Sequence, residues 1–73
     1  MTNQIILRHA KSDFDCLMVA QGMEDAGATV ISVSPCYPNT DMMKFMVIAR
    51  YNNEETTPDK IDDQIHLQLF HEE

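Results

Sequence analysis

Apolar positions along this chain fall into five blocks, and the spacing within each block predicts its structure. Gln4 to His9 (QIILRH) places Ile5 and Leu7 on one face of an extended strand, with Ile6 and Arg8 on the other. Lys11-Ser12-Asp13-Phe14-Asp15 then reads as a helix start. The Ser12 hydroxyl can accept from a free first-turn N–H, and the acidic residues suit the positive end of the helix dipole. Cys16, Val19, Ala20, Met23 and Ala26 recur at helical spacing and make one apolar face. Gly27 supplies the left-handed turn that ends a helix.

Thr29 to Ser34 (TVISVS) is β-branched and predicts a second strand; Met43 to Tyr51 (MKFMVIARY) predicts a third, apolar on both faces. Between them, Pro35 to Asp41 is dense in turn formers. Thr57-Pro58-Asp59 carries a helix start signal, with threonine as cap and proline in the first turn. Ile61, Ile65 and Leu69 then repeat at i, i+4, i+8, whereas Ile65, Leu67 and Leu69 also alternate as a strand would. The cap and the charged Asp62-Asp63 pair favour the helix.

The order predicts an α+β fold: a single domain over residues 1–73, β-α-β-β followed by a C-terminal helix. The first helix packs on a three-stranded mixed sheet. A strand–helix–strand crossover makes the first two strands parallel, and the third returns antiparallel. Residues 52–58 form an acidic loop, and 59–73 can be mobile. One helix cannot cover both apolar faces of such a sheet. Either the C-terminal segment packs on the far face or a second subunit does.

Composition narrows the function. Seventy-three residues with 44% hydrophobic content support one small core of marginal stability. Five basic against twelve acidic residues give a net charge of −7. That argues against direct binding to nucleic acid, which takes clustered Lys and Arg, and is compatible with a basic protein surface as partner. Cys16 and Cys36 form no C-x-x-C unit and read as free thiols of a reducing compartment. Without an export signal at the start or an apolar stretch long enough to span a bilayer, the expectation is a cytoplasmic protein that meets no membrane.

Ile6-Leu7-Arg8-His9-Ala10-Lys11-Ser12-Asp13 resembles the opening of the histidine phosphatases, whose first strand ends in a similar run. The resemblance would make His9 a phosphoryl-accepting nucleophile and Arg8 a phosphate ligand. It covers about a tenth of the chain. The family also needs a second arginine, a second histidine and an acidic proton donor. Arg50 is the only other arginine, and His66 and His71 stand in an acidic tail. With only Gly22 and Gly27 as glycines there is no glycine-rich phosphate loop either, so no catalytic residue and no cofactor are expected. In architecture and length the chain also looks like small sporulation and phage proteins, which implies an accessory role and no activity.

Asp62 with His66, and Cys36 with Met42, Met43 and Met46, have metal-compatible residue types. The first pair reads better as a solvated helix face, and the second set as core and loop, so no metal is expected. The leading expectation is a non-enzymatic, homo-oligomeric interaction or regulatory protein. Phe14, Leu17 and Met18 would form its subunit or partner surface, and Tyr37 a second contact. The alternative is an acidic inhibitor that imitates nucleic acid through Glu54, Glu55, Asp59, Asp62, Asp63, Glu72 and Glu73. It requires those carboxylates to sit on a rigid element.

Overall fold

A computed structural model describes residues 3–38, 40–41 and 43–70. Strand β1 (Asn3–Ala10) leads into helix α1 (Asp13–Asp25), followed by β2 (Thr29–Pro35), β3 (Phe45–Asn52) and helix α2 (Pro58–Leu69). The sheet order is β1-β3-β2. β1 and β2 point the same way, as the crossover requires, but they never pair. β3 lies between them and runs antiparallel to both, so the expected mixed sheet is an antiparallel one. The physical reason is that β3 is the most apolar strand and takes the central, doubly hydrogen-bonded place, with Val47, Ala49 and Tyr51 buried.

Both helix starts form as the sequence indicates. Ser12 Oγ accepts from Asp15 N at 3.1 Å, and Thr57 Oγ1 accepts from Lys60 N at 3.2 Å. Gly27, at φ 99, ends the first helical segment. The third strand begins at Phe45 rather than Met43. Met43 instead closes a turn with Thr40, whose hydroxyl accepts from Met43 N at 3.1 Å, and Lys44 N donates to Ala10 O at 3.0 Å.

The C-terminal segment is helical, with Ile61 and Ile65 buried, Leu69 packed against the core and Leu67 exposed. It does not cross to the far side of the sheet. α2 packs antiparallel along α1, where Gly22 meets Ile65, and reaches β1 through Asp62 and Arg8. Helical periodicity fixes which residues of α2 are buried, but not against what. Gly22 opens a groove on α1 that lets the two helices lie side by side. The core of Ile6, Ala10, Val19, Met23, Val47, Ala49, Ile61 and Ile65 thus sits between one sheet face and a two-helix layer. Among the described residues no helix lies over the other sheet face.

Candidate interaction surfaces

Strand register defines that open face row by row. Thr29, Arg50 and Ile5 form one row; Ser32, Ile48 and Leu7 the next; Ser34, Met46 and His9 the third. Alternation along a strand puts these side chains opposite Ile6, Val47 and Ala49, which face the helices and are buried. Ile5 is 60% exposed and Leu7 38%, with Met46 and Ile48 half-buried. Ile5, Leu7, Met46 and Ile48 make the apolar centre, and hydroxyls, His9 and Arg50 make the rim. No strand carries an acidic residue. Among the described residues the acidic side chains lie on the two helices, in the turn after β3 and, for Asp41, in the loop between β2 and β3.

A second exposed surface lies on the outer side of α1. Phe14 and Leu17 are 66% and 65% exposed, Met18 is half-buried, and Tyr37 in the loop after β2 is 93% exposed. Phe14, Leu17 and Tyr37 stay exposed, whereas Met18 lies one helical turn before Gly22, on the side of α1 where α2 packs. Tyr37 precedes a cis peptide bond to Pro38.

Arg8 and His9 do not converge. Arg8 lies in the row with Val47 on the helix side, and His9 in the row with Met46 on the open side. The Arg8 guanidinium is engaged: Nε donates to Asp62 Oδ1 at 2.7 Å and Nη2 to Oδ2 at 3.0 Å, while Nη1 donates to Leu7 O at 2.8 Å. That fork-on-carboxylate contact raises the Arg8 pKa against a smaller opposing effect of burial. A phosphate would have to displace Asp62 to reach it. A groove of about 250 Å³ opens where β1 passes into α1, lined by His9, Ala10, Lys11 and Asp15 together with Val19, Leu69 and Phe70; Arg8 is not part of it.

The two metal-compatible sets are occupied otherwise. Asp62 is the partner of Arg8, and the His66 ring lies 4.5 Å from the Phe70 ring. Cys36 is held through its backbone N–H to Lys44 O, Met43 sits in a turn, Met46 belongs to the open sheet face, and Met42 lies outside the described residues. Among the described residues no group of three or more His, Cys, Asp or Glu is placed to hold a metal ion. Neither helix is long and apolar enough to cross a membrane.

The acidic residues Glu54 and Glu55 occupy the turn after β3, and Asp59, Asp62 and Asp63 ride on α2, all exposed. Glu72 and Glu73 lie outside the described residues. The open sheet face was legible in the alternation of the first strand, but assigning it needed the place of α2. Compared with known proteins, the chain matches no family model, no curated protein and no solved structure.

Proposed function

We propose that this chain is a small non-enzymatic interaction protein that assembles with copies of itself through its open sheet face, leaving the α1 surface of Phe14, Leu17 and Met18, with Tyr37, for a protein partner. The observation that carries this reading is the uncovered apolar face centred on Leu7 and Ile48. Its occupant is argued from charge. A chain of net charge −7 repels its copies over most of its surface, yet this face has no carboxylate. Two such faces can pack as sheets do, ~10 Å apart, with the acidic helical layers outside and further apart than the ~8 Å Debye length. Light scattering on a size-exclusion column tests it. Wild type should form a defined oligomer, and Leu7→Asp, at a half-exposed site away from the core, should lower the mass while keeping the far-UV spectrum. An unchanged mass for the variant would sink the sheet-face reading.

A second reading has one observation in its favour. Asp59 and Asp63 sit four residues apart on a regular helix, so their spacing along its axis is roughly 6 Å, close to two of the ~3.4 Å axial steps between phosphates on one strand. Asp62, between them, is neutralised by Arg8. An acidic inhibitor should displace DNA from a basic DNA-binding protein, and Asp59→Asn with Asp63→Asn should abolish the displacement. Equal competition by the double variant would remove this reading.

A further inference from the structure

The two edges of the sheet are not equivalent. β1 carries Arg8 on its rim, held down by α2 through Asp62. β2 has no such cover: none of its residues is buried, and Ile31 and Val33 are 46% and 52% exposed. It also carries no charged residue over Thr29–Pro35, in a chain that is 23% charged. An edge strand presents a row of unpaired backbone N–H and C=O groups, and proteins ordinarily blunt it with Lys, Glu, proline or a bulge. Here the only guards are Pro35 at the last position and an irregularity at Val30/Ser32. The stretch from Ser32 to Ser34 stays regular and open. Its backbone can be satisfied only by water or by another extended chain.

We propose that β2 pairs antiparallel with β2 of a second copy, joining two sheets into one of six strands. The strand is self-complementary for this purpose. A two-fold axis at Val33, within the regular stretch, places Val33 opposite its copy and Ser32 opposite Ser34 in both halves, an apolar β-branched pair flanked by hydroxyl pairs. Val33 belongs to the helix-side row with Val47 but lies beyond the cover of α1, so the neighbouring strand supplies the contact that α1 does not.

The pairing also supplies area, an argument that rests on the sheet-face reading, whereas the edge geometry stands without it. Three strands of this length give a face of about 26 by 14 Å, or roughly 370 Å², against ~800 Å² per partner in a stable complex. Six strands double it. Edge pairing and face packing together make a tetramer of two six-stranded sheets with the helices outside.

The test is the solution mass of the full chain over a concentration series, for wild type, Val33→Lys, Leu7→Asp and the double variant. The expected result is four times 8.4 kDa for wild type, half that for Leu7→Asp, a mass no more than half that of wild type for Val33→Lys, whose single faces are too small to hold firmly, and a monomer for the double. A wild-type dimer that Val33→Lys makes monomeric and Leu7→Asp leaves intact supports the edge and removes the sheet-face reading. An oligomer whose mass Val33→Lys leaves unchanged overturns the edge pairing, and so does a monomeric wild type. Amide hydrogen exchange of the wild type decides the matter if Val33→Lys fails to fold. Protection across β2 should rise with protein concentration, and concentration-independent exchange there overturns the pairing.

Discussion

A Cβ atom built on Gly22 of α1 would lie 2.5 Å from the Cα of Ile65 in α2 and 2.7 Å from its backbone nitrogen. The two helices therefore touch backbone to backbone at this position. No side chain larger than hydrogen fits unless a whole helix moves. This contact holds α2 beside α1 and leaves the other sheet face bare.

Gly22→Ala should therefore destabilise the fold despite the higher helix propensity of alanine. Propensity favours the change by ~1 kcal/mol, while forcing a methyl into a packed interface costs typically 1–3 kcal/mol and more where backbone must shift. We expect a net loss of about 2 kcal/mol. Gly27→Ala meets nothing within 4 Å, and its cost, ~1 kcal/mol, comes from the positive φ alone. Urea unfolding of both variants checks the order: a Gly22→Ala protein as stable as wild type would refute the close helix contact.

Thr56 is 3% exposed, and its Oγ1 has no hydrogen-bond partner among the described residues, whereas its backbone N–H donates to Asn52 O at 3.1 Å. Thr56→Val keeps the shape and the backbone bond and removes a buried hydroxyl. The expected outcome is a gain of about 1 kcal/mol, seen as a higher Tm. A clear loss of stability would mean that the hydroxyl makes a bond of its own.

The Arg8–Asp62 pair ties the first strand to the last helix, but both side chains are well exposed, at 36% and 48%. Water and salt screen such a pair, so Asp62→Ala should cost no more than about 1 kcal/mol. The difference from wild type should shrink further in 1 M salt. Thermal melts at low and high salt measure it directly.

The two free thiols should differ in reactivity. Cys16 is buried in α1, and burial, reinforced by the nearby Asp13 and Asp15 carboxylates, pushes its pKa up. The thiolate is the reactive form, so Cys16 should alkylate slowly at neutral pH while the half-buried Cys36 reacts first. Mass spectrometry after timed iodoacetamide treatment should show one rapid addition, located at Cys36. Rapid modification of Cys16 in folded protein would contradict the packing of α1 on the sheet.

Local sequence determined much of this molecule. Ser12 and Thr57 start the helices because a hydroxyl at that spot satisfies an N–H that no helical carbonyl can reach. Ile5 and Leu7 stand opposite Ile6 because side chains alternate along any strand, and Cys16, Val19 and Met23 share a face because of the helical repeat. Phe14 and Leu17 were legible as an outer surface for the same reason, and they are exposed. These are relations between residues a few positions apart, and the covalent chain imposes them.

Tertiary structure alone decided which surfaces meet. The stripe of Ile61 and Ile65 would fit either face of the sheet, and only the groove at Gly22 brings it to the α1 side. The local run around His9 reads as a phosphatase opening, but the strand continues through Ala10 and turns Arg8 and His9 to opposite faces. The guard on the β1 edge is an ion pair across 54 residues, and β2 stays open because α2 packs on the far side of α1. Such relations depend on how apolar faces of similar size are shared between elements far apart in the chain, a choice that local periodicity leaves open and packing resolves.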